Sequence, residues 1–336
     1  MGFVTIRDVA RKAGVSTAAV SQILHDKGRF SVETQKLVRQ TVEELGYIPD
    51  SRAQAMRSDS TRMVGILVPD LRNPYFANLV SSMETMLYEQ GFGALIGTSD
   101  ESVKRQDNFL MRLMGQRIDG VIAVPQGDQT PGIKMLVERD LPLVFVDRRV
   151  PGMDGTVPYV VSDPNPGLRD ALATLRDYGH TSVAYVAHPS LGSFSVNERA
   201  EAFRELGPQF FSASKTAVFS CGESLESRKE ALDGILDFGA TAVIFGYSPD
   251  AISCISLLRY RGVELGREMS LASFDDIEAF RLLSPQVAVI SQQVEQMGQQ
   301  GVSILLDHIR GDHHKDCQPV SIPTSFDLRG SVGRVQ

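Results

Sequence analysis

The sequence predicts an all-α head containing a helix-turn-helix, a short linking helix, and an α/β body of two doubly wound parallel sheets. Three observations carry this. Residues 1–49 hold three short amphipathic patterns bounded by capping residues and glycines. From residue 63 onward, apolar runs of strand length alternate with helical patterns. Charge also divides between these regions: residues 1–62 carry ten Lys/Arg against seven Asp/Glu, a net +3, and the remainder carries −10. Affinity for phosphate follows local rather than total charge, so a basic head on an acidic body hints at nucleic acid.

The 336 residues exceed what one compact core usually holds, and 42% hydrophobic with 22% charged content is ordinary for a globular protein. Three scattered cysteines, Cys221, Cys254 and Cys317, suggest a reducing compartment without a disulfide framework. The opening MGFVTIRDVARKAG lacks the apolar core of a secretory signal, and no apolar run approaches a membrane span, so a cytoplasmic location is expected.

In the head, Thr5 caps a first helix with Asp8 three residues on, and Ile6, Val9, Ala10 and Ala13 form its apolar face before Gly14 stops it. Ser16 caps a second helix, TAAVSQILH, with Ala19, Val20, Ile23 and Leu24 inward. Ser31 starts a third, with Val32, Leu37, Val38, Val42 and Leu45 inward and Gly46 at its end. The first two, joined through Ala13-Gly14-Val15-Ser16, make a helix-turn-helix whose second helix can enter a major groove. Its outward residues are short or amide-bearing. Gln22 suits the N6/N7 edge of adenine, and Thr17 and Ala18 suit a thymine methyl. Thr5, Ser16, Ser21, Ser31 and Thr34, with the helix N-terminal amides, suit phosphate. A three-helix bundle with solvated faces has the same shape, so shape alone leaves DNA binding open.

Next, DSRAQAMR (50–57) can form two helical turns, yet Met56 sits among Arg52, Arg57 and Arg62 with no apolar partner nearby. So short a helix needs outside support. In the body, MVGILV (63–68), GVIAV (120–124), LVFVD (143–147), VAYVA (183–187), AVIFG (242–246) and SLASF (270–274) read as buried parallel strands. Two halves of about five strands each suit the length. Ligands in such folds bind beyond the carboxyl ends of the strands, which singles out Asp70, Asn73, Tyr75, Phe76, Asp147 and Arg148 in the first half, and Phe194, Arg199, Tyr247 and Asp275 in the second. Aromatic rings can stack on a sugar or base, and Arg199 and Asp275 can bond hydroxyls. Each also has a plain structural reading: Asn73-Pro74 as a turn, Tyr75 and Phe76 as core, Asp275 as a helix cap.

VTIRDVARKAGVSTAAVSQILH followed by YIPDSRAQAMR resembles the head of the LacI/GalR family of bacterial transcription regulators. The resemblance continues through VGILVPDLRNPYF, DGVIAV, SFDD, SPQVAVISQ and SFDLRGSVG. It implies a periplasmic-binding-protein-like core with three crossovers between halves, expected near 161–163, 291–292 and 321–324. The resulting division is a headpiece at 1–49, a hinge helix and linker at 50–61, and a core at 62–336. Within the core, one subdomain spans about 62–161 plus 292–321, the other about 162–291 plus 322–336. By position, the resemblance assigns base reading to Thr17, Ala18 and Gln22, and a backbone contact to Tyr47. It also implies that paired hinges become helical on the operator, with Ala53 against the minor-groove floor and Met56 wedged into the central base step. Arg199 and Asp275 match the family's cleft arginine and aspartate.

The partners implied are double-stranded operator DNA, a second copy of the chain, and a small-molecule effector such as a sugar, sugar derivative or nucleoside; no membrane and no cofactor are expected. Tyr247-Ser248 and Ser162-Asp163 depart from the family's frequent Asn-Asp and Asp-Asn; by family position Asp163 joins Tyr247 among the expected effector-binding residues, but no hexose or pentose preference transfers. The extra aromatic leans towards a nucleoside, base or less polar sugar derivative.

Other signals carry less. GFGALIG (91–97) follows a helix and enters a strand, the wrong order for dinucleotide binding. His313-His314-x-x-Cys317 reads as a polar surface loop rather than a metal site, and His180 and His188 lack a nucleophile partner. The competing classes are a small-molecule binding protein, an enzyme on a doubly wound sheet, and a regulator answering to a protein corepressor.

Overall fold

The computed structural model describes residues 4–48, 60–189, 194–222, 224–311 and 319–335; the side chain of Phe194 lies outside that description. Residues 1–61 and 62–336 form separate compact units.

The head comprises α1 (Ile6–Ala13), α2 (Thr17–Leu24) and α3 (Val32–Leu45). The expected caps are present: Ser16 Oγ accepts from Ala19 N at 3.1 Å and Ser31 Oγ from Thr34 N at 3.2 Å. Gly14 ends α1 at φ 68°, a left-handed conformation that other residues adopt at a cost. Val9, Ala10, Ala13, Val20, Ile23 and Val38 form the core. The inward face expected of α3 needs correction. Val32 is 77% and Leu37 48% exposed, whereas Thr41 is buried. At about 100° per residue, Leu37 and Val32 lie roughly 100° and 120° around the helix from Val38, outside the stripe that Val38, Thr41 and Val42 define.

The body contains two six-stranded sheets of matching order. The first runs β11 (Val320–Pro323), β5 (Tyr159–Asp163), β4 (Leu143–Val146), β3 (Gly120–Ala123), β1 (Met63–Val68), β2 (Gly93–Thr98), all parallel. The second runs β12 (Ser325–Asp327), β10 (Ala288–Ser291), β9 (Ser270–Phe274), β8 (Ala242–Phe245), β6 (Val183–Ala187), β7 (Thr216–Ser220), with β12 antiparallel. Both faces of each sheet are covered by apolar clusters, which explains the uninterrupted apolar runs. Each half has six strands rather than about five, because the last pass of the chain adds one to each sheet.

Helices α4 (Pro74–Glu89), α5 (Val103–Gly115) and α6 (Pro131–Glu138) connect strands of the first sheet. In the second half, α7 (Asn165–Asp177) precedes β6, α8 (Phe194–Phe210), α9 (Leu225–Asp237) and α10 (Ser248–Tyr260) connect its strands, and the short α11 (Glu278–Leu282) precedes β10. After β10 the chain returns to the first half, where α12 (Val294–Ile309) packs Met297, Val302 and Leu305 with Leu79 and Met83 of α4. The expected subdomain boundaries at about 161/162 and 321/322 move two residues onward, since β5 and β11 stay paired through Ser162↔Ile322 and Asp163↔Pro323. Thr324 alone then separates β11 from β12. Among the described residues, no helix is long and apolar enough to cross a membrane, and no cluster of side chains suits a metal ion.

Candidate functional site: a helix-turn-helix face and a buried polar cleft

In the head, Thr17, Ala18 and Gln22 stand exposed on one side of α2. With Ser21, Ile6 and Arg7 they line a shallow depression of about 280 Å³. Arg7 was not singled out from sequence; its outward place on α1 beside the start of α2 is the signal that finds it. Ser16, Ser31 and Thr34 lie at helix N-termini, where unpaired amides favour an anion. Thr5 is less suited to phosphate than expected, because its hydroxyl donates to Asp8 at 2.6 Å and that carboxylate repels an anion. Tyr47 is half-buried against the head core. Ala53 and Met56 lie outside the described residues.

In the body, each sheet delivers one aspartate to the same place. Asp147 follows β4 and Asp275 follows β9, both left-handed, at φ 67° and 69°. Each backbone amide is tied to the neighbouring strand, Asp147 to Val160 O at 2.8 Å and Asp275 to Ile290 O at 3.0 Å. Backbone strain of this kind costs about 1–3 kcal/mol and persists where the surroundings enforce it. The result turns both carboxylates to the carboxyl ends of the strands, where ligands of doubly wound folds bind.

Around them lies a dense polar network. Tyr75, in the first turn of α4, donates its hydroxyl to Asp147 at 2.7 Å. Asp275 accepts from Ser248 at 3.0 Å and from the Gln292 amide at 2.6 Å, while the Gln292 carbonyl accepts from Ser162 at 2.6 Å. Arg199 donates to Gly246 O at 2.8 Å, lies 3.9 Å from Asp275 and rests over the Phe274 ring. Gly246 admits this packing because a Cβ there would meet the Tyr185 hydroxyl at 2.2 Å. Arg148 makes two 2.8 Å bonds to Glu101 and one of 2.7 Å to Gln126. One ion pair spans the rim between halves, Arg149 to Glu198 at 2.8 Å.

Burial sets the protonation behaviour. It raises the pKa of Asp147, an effect only partly offset by the charges of Arg148 and Arg199, and it drives the Tyr75 hydroxyl well above its ordinary range with Asp147 beside it. For Arg199 burial favours loss of the proton, but Asp275 and Asp147 more than offset this and hold the guanidinium charged. Burial is also the chief reason that Tyr247 is pushed up to about 12.

Tyr75, Arg199 and Asp275 therefore converge. Phe76 is buried under the Arg148 guanidinium, 5.8 Å from its ring centre, and serves as wall and core. Arg148 is 5% exposed and committed to Glu101. Asp163 bonds Asn165 N at 2.9 Å at the start of α7, a local turn. Tyr247 stacks at 4.5 Å on His188, whose Nδ1 is 2.7 Å from Asp250. The sequence reading missed Glu101, Gln126 and Gln292 and found no partner for His188. A cavity of about 690 Å³ opens onto Tyr75, Asp275 and Gln292 from the outside.

Comparison with known proteins decides what this pairing of head and cleft is. Residues 5–50 match the bacterial regulatory proteins of the lacI family, and residues 172–332 match the periplasmic binding protein-like domain. The chain belongs to the lacI family. This lacI-family regulator is 29% identical over 318 residues to the HTH-type transcriptional repressor PurR of Aliivibrio salmonicida, covering 93% of this chain and 94% of that protein. It is 27% identical over 327 residues to the ribose operon repressor of Halalkalibacterium halodurans, covering 97% and 96%. Its fold matches that of the lac repressor dimer bound to operator and the anti-inducer ONPF, with a TM-score of 0.83 at 23% identity over 98% of this chain and 99% of that one.

Proposed function

We propose that this protein is a transcriptional repressor that binds a pseudo-palindromic operator as a homodimer and responds to a small molecule in the cleft. The observation that carries this is one chain joining an exposed helix-turn-helix face to a buried Arg199–Asp275–Tyr75 cleft. The headpiece at 1–49 reads DNA: α2 enters the major groove with Thr17, Ala18 and Gln22 at base edges. Ser16, Ser21, Ser31, Thr34 and Tyr47, with Thr5 more weakly, contact the backbone. Arg7 adds a cation beside them. The hinge at 50–61 places Ala53 and Met56 in the minor groove, and a pyrimidine–purine step at the centre of the site is the cheapest to kink. The remainder, 62–336, binds effector and pairs with a second copy. This activity belongs in the cytoplasm.

Exposed apolar side chains support the dimer. Leu95 and Ile96 are 36% and 42% exposed on β2, an unpaired sheet edge, and Leu282 is 79% exposed in the other half. Such an edge is ordinarily covered or guarded by charge. Effector binding that changes the angle between the halves alters the spacing of the hinges and hence operator affinity.

Selection of binding sites from random DNA, followed by gel-shift and light scattering, tests the reading. The expected outcome is a dyad-symmetric consensus bound by two chains, with Met56→Ser reducing both specific affinity and the DNA bend. A monomer at micromolar concentration, with or without DNA, overturns it.

A further inference from the structure

We propose that Arg7, on the first helix of the head, reads a guanine in each half-site through its O6 and N7 edge. This deepens the DNA-binding reading above and rests on it. That reading leaves base recognition to α2 alone, and α2 is short of reach. Ala18 carries a methyl, and Thr17 and Ser21 carry short hydroxyls, so among its outward residues Gln22 alone can make a bidentate contact with a base. Such a contact discriminates by about 30-fold, and two half-sites then give about 10³. That is the lower end of the roughly 10³–10⁷ preference of specific DNA binding.

The short side chains at 17 and 18 leave a depression of about 280 Å³, and Arg7 lines it from α1. Its guanidinium is uncommitted. Among the described residues it makes no hydrogen bond or ion pair, whereas Arg11 pairs with Asp8 at 3.2 Å, Lys12 with Glu44 at 2.8 Å and Arg39 with Asp26 at 2.6 Å. Asp8, its neighbour in sequence, is taken by Arg11 and by the Thr5 hydroxyl. Lys27, Arg29 and Lys36 are exposed cations too, but none of them lines the depression.

Arg7 also stands where the fold gains nothing from it. It occupies the first turn of α1, at the end of a helix that carries partial positive charge and favours acids. An exposed cation set against that preference, with no partner inside the chain, is placed for a contact outside it. Phosphate is the other acceptor that DNA offers. The depression favours the base, because its other walls are the α2 side chains that face into the groove, and a guanidinium among them is carried past the backbone. Gln22 leans elsewhere. Its carbonyl oxygen stands 3.1 Å from where a Cβ on Gly28 would be, towards the loop that follows α2. Arg7 lies beside the start of α2, so the two side chains address different base pairs.

The test takes the full chain, wild type and variants, through selection from random DNA, with thermal midpoints to confirm folding. The wild-type consensus should hold a guanine that depends on Arg7 at one position of each half-site. Arg7→Ala should lower discrimination there by at least about tenfold, keep the other positions unchanged, and leave the midpoint equal or slightly higher. Arg7→Gln should lose the guanine in favour of adenine, whose N6 and N7 suit an amide. Uniform weakening across all sequences, with an unchanged profile and a shallower salt dependence, makes Arg7 a phosphate contact and overturns the inference. Flattening of the same position by Gln22→Ala overturns it too, since Arg7 then acts through Gln22. A wild type that selects no consensus removes the DNA-binding reading and this inference together, whereas a consensus unaltered in Arg7→Ala removes this inference alone.

Discussion

In the head, Thr17, Ala18 and Gln22 stand exposed, whereas in the body Arg199 and Asp275 are 5% and 3% exposed and bonded to neighbours. On the proposed reading, the head keeps its recognition side chains out of its core, so they are free to be exchanged without disturbing the fold. On the proposed reading, the body binds through groups that are also bonded into its own fold, Arg199 to Gly246 O and Asp275 to Ser248 and Gln292. Changing what it binds means changing what keeps it folded. One region separates specificity from stability, and the other couples them.

The largest effect should come from breaking that coupling. Removing one member of a buried ion pair typically costs about 3–5 kcal/mol, because the other charge is left uncompensated. Arg199→Ala and Asp275→Ala should therefore lower the denaturant midpoint strongly and abolish the ligand response, while operator binding survives under conditions where the chain stays folded. An Arg199→Ala variant as stable as the wild type would sink the coupled picture. In the head, Gln22→Ala should cost roughly 1–3 kcal/mol of discrimination at one position of each half-site, with an unchanged unfolding midpoint. A selection profile identical to that of the wild type would take Gln22 out of the readout set.

Smaller effects sharpen the contrast. Arg149 and Glu198 join the halves at the rim but are 40% and 35% exposed, so solvent screening limits the pair to about 0.2–1 kcal/mol. Arg149→Glu should shift the body towards a wider angle by solution scattering, and adding Glu198→Arg should restore it. Smallest is a dependence on pH. Burial holds the pKa of His180 below its ordinary 6.5, with Nε2 on Gly333 O at 3.0 Å and Nδ1 buried without a hydrogen-bond partner. As pH falls below about 6.5 the unfolded chain takes up a proton before the folded one does, so stability falls with it. His180→Gln should flatten that slope in thermal scans. The head has no buried histidine, and its unfolding should lack this component.

What was legible in the sequence follows the same divide. The head is specified by neighbours: Ser16 caps three residues ahead, Gly14 stops a helix it adjoins, and apolar spacing marks the buried stripe. Only the outer edge of that stripe on α3 was misplaced. In the body, strand runs and strand ends were readable, and they led to Asp147, Arg148, Tyr247 and Asp275. Partner choice was not readable. Glu101 and Arg148 are 47 residues apart, His188 and Asp250 are 62 apart, and Ser162 and Gln292 are 130 apart. No local pattern encodes those encounters, which exist only once two sheets are assembled. Asp163 shows the opposite limit, since family position suggested a ligand contact but its nearest bonds are to Asn165, two residues away.

Thr324 has a mechanical consequence. It is 4% exposed, donates to Asp163 O at 2.9 Å and receives Gly167 N at 3.0 Å, while β11 ends one residue before it and β12 begins one residue after. A single residue spans at most about 3.3–3.6 Å, so the sheets have almost no slack at this joint. Translation between them is lost as a degree of freedom, and rotation about an axis near Thr324 remains. The displacement at the far rim then grows with its distance from that pivot, as at the end of a lever. A small change of angle at the pivot becomes a larger excursion at the rim.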